Sequence, residues 1–286
     1  MNTIEKISRR RFLELTGISS AGLLLMGAVP SLAGVLAEAD GVSLNLFVSV
    51  KPDGGVEIIA HRSEMGTGIR TSLPQVVADE MEADWARVTV IQALGNPAYG
   101  SQDTDGSCSV RDFYLIMRQM GAAARRMLEQ AAAQRWAVDL SQCKARNHAV
   151  YCSDGRSLGF GELAAVAAQQ AMPDVAELPL KTSSEFNYIG KNVAIVDLQD
   201  MTTGNTTFGI DVILPGMVYA SIERTPVLGG TVNSYDDKAA RKVSGVIDVV
   251  EINGQPLPAR FHALPGVAVI ASSTYAAMKG REALSV

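Results

Sequence analysis

The sequence predicts an α+β protein organised as two successive units. Three observations carry that reading. Short apolar runs, some alternating with polar residues, are punctuated by glycine-rich turns. Residues 110–136 form one uninterrupted stretch in which apolar and small side chains recur at three- and four-residue steps. Residues 173–185, with Pro173, Pro179 and two adjacent serines, then separate that region from a second series of strand-like segments. At 286 residues the chain has room for two domains of about 100–200 residues each. A hydrophobic content of 47% against 19% charged residues excludes a disordered polymer. A net charge of −5 with no clustered basic face argues against a nucleic-acid partner, whose phosphates need such a face.

Taken in order, residues 44–50 and 56–60 read as a hairpin turning through Pro52-Asp53-Gly54-Gly55. Residues 62–68 form a loop, and 71–81 a helix, with Leu73, Val76, Val77 and Glu80 at helical spacing. A strand at 87–92 and a loop at 95–106 precede the long helix, whose many small residues suit close packing against a neighbour. A short hairpin at 149–160 and an alanine-rich helix at 162–171 complete the first unit. Beyond the predicted linker, residues 193–198, 207–213, 218–222, 246–252 and 267–271 read as strands. Residues 236–242 and 273–284 read as helices, the second with Thr274 as its cap.

The amino terminus reads as an address. Ser8-Arg9-Arg10-Arg11-Phe12-Leu13 precedes a weakly apolar stretch, residues 15–33, and then small-residue cleavage sites at Ser31-Leu32-Ala33 or Ala37-Glu38-Ala39. The paired arginines followed by Phe-Leu resemble the twin-arginine class of export signal, over residues 1–39. The expected location is the periplasm, with association with the inner membrane as a further expectation. Cys108, Cys143 and Cys152 are too few for a disulfide scaffold and contain no CxxC pair. Cys143 and Cys152 are available for one bridge in an exported protein, and their spacing leaves its geometry open.

Two loops stand out chemically. Glu64-Met65-Gly66-Thr67-Gly68 lies between a strand and a helix start, where glycines permit tight turning and N–H groups can meet an anion. It lacks both the Gly-Lys-Ser/Thr ending of a P-loop and, with Thr71, the third glycine of a dinucleotide fingerprint. An ordinary turn and an anion cradle therefore both remain open. Asp105-Gly106-Ser107-Cys108-Ser109 opens the long helix, with Ser107 or Ser109 as its cap or as part of a second phosphate cradle.

Several segments, in order, resemble the xanthine dehydrogenase and aldehyde oxidase superfamily. Asp53-Gly54-Gly55, Glu64-Met65-Gly66-Thr67-Gly68, Gln75, Asp79-Glu80, Trp85 and Val88 look like one pyranopterin-binding segment. Gly106-Ser107-Cys108-Ser109 with Arg118, Gly121-Ala122, Arg125 and Trp136 looks like the next. Thr203-Gly204, Phe208-Gly209, Asp211, Pro215-Gly216-Met217, Arg224-Thr225-Pro226 and residues 267–271 resemble that superfamily's α/β hammerhead domain. The branch of isoquinoline 1-oxidoreductase beta subunits and exported aldehyde dehydrogenases is the most similar.

The resemblance implies a partial molybdopterin-binding domain at 40–180 and a hammerhead domain at 186–286. It implies that Met65, Gly66, Thr67 and Gly68 contact the pterin dithiolene or phosphate, and that Gly106, Ser107, Cys108 and Ser109 hold the phosphate part. Thr67 departs from the glutamine common in the superfamily, and its hydroxyl has a shorter reach. The implied cofactor is molybdenum–molybdopterin cytosine dinucleotide. The 2Fe-2S clusters belong to a small partner subunit, a c-type cytochrome is one electron acceptor, and the small-molecule substrate is an N-heterocycle or aldehyde hydroxylated with water. The superfamily's general base is a glutamate near a far C-terminus absent from these 286 residues. No catalytic residue and no protein metal ligand is assigned, and the chain is expected to be a fragment inactive alone. The reading from another class is a non-enzymatic exported protein that binds an anion or nucleotide.

Overall fold

A computed structural model describes residues 42–255, 257–258, 260 and 262–286. The expected export signal, residues 1–39, lies outside the described residues. The chain divides into two compact units after Gly204.

The first unit is built on a four-stranded sheet in the order β1 (Val42–Asn45), β2 (Val48–Val50), β3 (Val56–Ala60), β4 (Val88–Gln92). The expected single strand at 44–50 is broken at its middle. Asn45 Oδ1 accepts from Phe47 N at 2.9 Å while its amide donates to Met120 O at 3.1 Å, and the turn folds β1 back on β2. β2 and β3 pair antiparallel through the glycine turn, but β3 and β4 are parallel. Parallel neighbours need a crossover, supplied here by helix α1 (Ile69–Met81).

Helix α2 (Ser109–Trp136) lies against α1. The approach is close at Gly121, where an added Cβ would stand 2.5 Å from the Val77 carbonyl oxygen. Leu73, Val77, Met81, Met117, Ala124 and Leu128 are each at most 1% exposed and join the strands in one core. An antiparallel meander follows: β5 (Cys143–Arg146), β6 (Ala149–Cys152) and β7 (Ser157–Gly159). Helix α3 (Phe160–Ala167) then starts where Glu162 reaches back to the Gly159 N–H at 2.8 Å.

The stretch expected to be a linker is instead docked on the first unit. Asp79 and Glu80, on α1, are fully buried. Asp79 binds Lys181 Nζ at 2.6 Å and accepts the backbone N–H groups of Asn187, Tyr188 and Ile189. Glu80 accepts Arg118 Nε at 2.7 Å and Lys181 N at 3.1 Å, and pairs with Arg125. Two carboxylates without water must find such partners, and these come from α2 and from residues 181–189. Val196 N donates to Thr71 Oγ1 at 2.9 Å, so the chain stays on this unit into helix α4 (Leu198–Thr203). The division therefore falls at Gly204 rather than between Pro173 and Gly190.

The second unit is a three-stranded antiparallel sheet in the order β8 (Tyr219–Arg224), β10 (Gly266–Ala271), β9 (Val246–Ile252). Helix α5 (Thr274–Glu282) packs on it, with Gly280 against Val269 and Val246. Its cap is Ser273, whose hydroxyl accepts from Ala276 N at 3.2 Å, rather than Thr274. Central β10 is buried almost throughout. Of the expected helix at 236–242, only a 3₁₀ turn, Ala240–Lys242, forms. The runs read as strands at 193–198 and 207–213 are not strands: among the described residues no neighbour pairs with them, and Ile210 and Ile213 remain exposed. Both units mix helices with sheets, so the α+β class holds. Among the described residues no helix is long and apolar enough to cross a membrane.

Candidate cofactor-binding site

The two glycine-rich loops leave adjacent parts of the first unit. One follows β3, and the other joins β4 to α2. Because β3 and β4 are parallel neighbours, both loops start from the same end of the sheet. Three contacts stitch them together. Gln102 Nε2 donates to His61 O at 3.3 Å, and Thr104 Oγ1 donates to Ser63 O at 2.7 Å. The third contact is Arg62, which is 1% exposed. It donates from Nε to Ser109 Oγ at 3.0 Å, from one terminal nitrogen to Ser101 O and Oγ at 2.9 and 2.8 Å, and from the other to Cys108 Sγ at 3.1 Å. None of these acceptors is a carboxylate. The guanidinium also lies 5.1 Å from the centre of the Phe113 ring. The buried guanidinium is thus held at the junction of the two loops by hydroxyl, carbonyl and sulfur acceptors.

The first loop is organised by its own glutamate. Glu64 Oε1 accepts the N–H groups of Met65, Gly66 and Gly68 at 3.1, 2.7 and 2.9 Å, and Oε2 accepts that of Arg70 at 3.1 Å. The positive φ values of Gly66 (95°) and Gly68 (76°) bend the backbone around the carboxylate, a conformation that side-chain-bearing residues rarely adopt. Partial burial raises the Glu64 pKa. The bonds from Arg70, Gly68, Gly66 and Thr67 outweigh it and hold the carboxyl below its ordinary value. The donors that an external phosphate would use here are thus occupied by an internal anion at the α1 N-terminus. Met65 is 66% exposed and Thr67 is exposed, so this loop offers their side chains outward. Arg70 is turned away, to Asp197 at 3.1 Å and Val90 O at 3.0 Å.

The second loop is open by contrast. Gly106 and Ser107 have φ values of 53° and 54°. Cys108 occupies the cap position of α2 with no side-chain cap bond. Neither Ser107 nor Ser109 is the cap: Ser109 is the first helical residue, and its hydroxyl faces Arg62. Gly106 and Ser107 are exposed, and an added Cβ at Gly106 or Gly66 would meet nothing within 4 Å. An uncapped helix start beside a buried arginine suits an anionic group. The residues present therefore fit the phosphate part of a cofactor at Gly106–Ser109, and an outward-facing contact at Met65–Thr67.

Arg62 is the residue that sequence reasoning missed. Its only signal is a charged side chain two residues past an apolar strand. His61, beside it, is 1% exposed and packed by Phe47, Tyr99 and Phe113, with neither ring nitrogen hydrogen-bonded. Burial, reinforced by the Arg62 charge, lowers its pKa to about 4. Its ring is therefore neutral at neutral pH. Among the described residues no three His, Cys, Asp or Glu side chains converge as a metal site.

These features define an α+β protein in which two glycine-rich loops, each leading into a helix, are bonded together at one end of a sheet. The molybdopterin cofactor-binding domain family matches residues 22–212, and the chain belongs to that family. It is 34% identical to isoquinoline 1-oxidoreductase subunit beta of Brevundimonas diminuta, over 98% of this chain and 40% of that protein. It is 31% identical to the membrane-bound aldehyde dehydrogenase (pyrroloquinoline-quinone) of Gluconacetobacter polyoxogenes, over 98% of this chain and 37% of that protein. The chain thus spans about two fifths of the length of these relatives. Reconstituted CO dehydrogenase from Oligotropha carboxidovorans overlaps in part, at 14% identity and a TM-score of 0.37, over 54% of this chain and 23% of that one.

Proposed function

We propose that this chain supplies the first part of the cofactor cradle in the large subunit of an exported molybdenum hydroxylase. The observation that carries the reading is Arg62, a buried cation with no carboxylate acceptor among the described residues, bonded into the start of α2 where Gly106 and Ser107 leave the helix end open. Family membership supplies the cofactor class, and the two relatives' names supply the substrate classes, an N-heterocycle or an aldehyde.

In this reading the backbone at Gly106–Ser109 holds the phosphates of a molybdopterin cytosine dinucleotide, with Ser107 and the Arg62 charge assisting. Met65 and Thr67 touch the pterin side, and Gly66 and Gly68 give the turn its shape around Glu64. Bound molybdenum supplies the redox chemistry that inserts a water oxygen into the substrate. This chain's residues bind and orient the cofactor, and none of them is assigned as an acid or base. A small subunit with 2Fe-2S clusters takes the electrons, and a c-type cytochrome accepts them in turn. Arg9 and Arg10 direct export of the folded protein to the periplasm, with attachment to the inner membrane as part of the same proposal.

The test is cofactor content. Protein purified from its native host should carry molybdenum and pterin, and should release cytidine monophosphate on acid hydrolysis. Gly106→Val should lower all three together. Protein that retains an anion or nucleotide with no molybdenum would overturn this reading in favour of a non-enzymatic binding protein. Replacing Arg9 and Arg10 with Lys should leave precursor in the cytoplasm, and unchanged secretion would remove the export assignment.

A further inference from the structure

The meander that follows α2 brings two cysteines face to face. β5 and β6 are joined by a two-residue turn, Asn147–His148, with φ values of 48° and 66°. Consecutive positive φ values define the type I′ turn that fixes hairpin register. The turn is also pinned from outside, since His148 N donates to Glu82 O at 2.7 Å and His148 Nε2 lies 2.7 Å from Gly54 O. In that register Arg146 pairs with Ala149, and Cys143 pairs with Cys152. A slip of one residue would put the two sulfurs on opposite faces of the hairpin.

The type of pair matters for bonding. Ser153 N donates to Gln142 O at 3.0 Å, so the residues flanking the cysteines share the ladder bond. Cys143 and Cys152 are therefore a non-hydrogen-bonded pair, the class with Cα atoms about 4.5 Å apart and side chains closest. That separation lies within the range of about 4.4–6.8 Å that a disulfide spans without moving the backbone. Both side chains are buried, at 3% and 5% exposure, and point to the same face. Cys108, the third cysteine, is engaged elsewhere, with Arg62 and the Asp105 carbonyl.

We propose that Cys143 and Cys152 form a cross-strand disulfide by exchange with a low-molecular-weight disulfide of the glutathione class. One cysteine, as thiolate, attacks a sulfur of oxidised glutathione. The glutathione S–S bond breaks, one glutathione leaves as thiolate, and a mixed disulfide forms. The second cysteine attacks the protein sulfur of that mixed disulfide and releases the other glutathione. The pair gives up two protons and two electrons, and one oxidised glutathione becomes two reduced molecules. Burial, with Cys152 alongside, pushes the Cys143 thiol up, so exchange quickens at alkaline pH and when the hairpin opens.

The experiment is a thiol count with peptide mapping. The purified full chain is incubated with oxidised glutathione at mildly alkaline pH, in urea below its unfolding midpoint. It is then alkylated in denaturant and digested without reduction. The expected result is a single alkylated cysteine, Cys108, of the three in the chain, and a peptide linking residues 143 and 152, lighter by two hydrogens. Cys152→Ser should abolish the link and leave Cys143 either alkylated or glutathionylated. Dithiothreitol should reverse the thermal stabilisation of the oxidised wild type, and Cys152→Ser should show no stabilisation on oxidation. Wild-type protein that keeps all three thiols, or stays glutathionylated at residue 143 or 152 without the link, would overturn the proposal.

Discussion

Arg62 Nε donates to Ser109 Oγ at 3.0 Å, bonding the residue two past β3 to the first residue of α2, 47 positions along the chain. Through this bond the buried Arg62 ties the first loop to the start of α2, beside the exposed Gly106 and Ser107.

Ser109→Ala removes that acceptor and leaves a buried charged donor short of one partner. The expected loss is about 1–3 kcal/mol, read as a lower urea midpoint. Arg62→Lys should cost more, because an ammonium cannot reproduce the guanidinium's planar fork towards Ser101, Cys108 and Ser109. Cofactor content should fall more in Arg62→Lys than in Ser109→Ala. The reverse order would move the anion site away from Arg62.

Glu64→Gln keeps an acceptor but discards the charge at the α1 N-terminus. It should destabilise the unit by about 1–2 kcal/mol at neutral pH. The sign with pH follows from the lowered Glu64 pKa. The contribution is fully present above the ordinary carboxylate value and is lost as pH falls through the folded-state value. Urea midpoints of wild type and variant should therefore converge in acid. A gap of constant size down to about pH 3, below the reference carboxylate value, would remove the charge from the explanation.

Lys181→Met leaves Asp79 buried with backbone donors alone, and Glu82 without its ion pair. Breaking a buried pair in this way costs about 3–5 kcal/mol. Limited proteolysis should spare residues 173–190 of the wild type and cut the variant there. Early cleavage of the wild type in that stretch would show that the docked segment is held more weakly than its bonds imply.

Gly121→Ala puts a methyl group against the Val77 carbonyl and the Glu80 Cβ. Overpacking of this kind costs about 1–3 kcal/mol. Thermal unfolding should register it, whereas Gly155→Ala, at an open hairpin turn with positive φ, should cost no more than its backbone strain. Equal losses would mean that α1 and α2 can separate without penalty.

His61 is buried neutral, with its pKa lowered to about 4. The unfolded chain binds a proton there more readily, so stability is highest above about pH 6.5 and falls as pH drops towards 4. The swing is on the order of 3 kcal/mol. His61→Phe should flatten this part of the curve, measured as urea midpoints across that window. An unaltered slope would assign the acid sensitivity to other groups, such as His148, whose pKa burial also lowers.

The long helix was legible to within one residue, because small and apolar residues hold one face for seven turns without a breaker. Strand β10 was legible as a continuous apolar run of strand length, and β9 as a β-branched run interrupted only by Asp248 and Glu251. What failed was decided elsewhere in the chain. Residues 193–198 and 207–213 have strand-like composition but no partner edge. β5, with the sequence Cys-Lys-Ala-Arg, shows little pattern and exists because the 147–148 turn returns β6 to it. The linker reading at 173–185 followed local composition, whereas Asp79 and Glu80, a hundred positions earlier, hold the adjoining residues 181–189 in place. The two site loops were visible from their glycines. That Glu64 fills the first from within, and that Arg62 links them, depends on side-chain direction that spacing does not encode.

The reliance of Asp79 and Glu80 on residues 181–189 sets a timetable for synthesis. α1 emerges from the ribosome carrying Asp79 and Glu80; α2 later brings Arg118 and Arg125 to Glu80, but the partners of Asp79 at Lys181 and residues 187–189 are made last. At about 5–20 residues per second, that interval is on the order of 5–20 s. During it, α1 cannot be sealed into the core without stranding charge. The nascent first unit therefore cannot close its core around Asp79 until translation has passed residue 189.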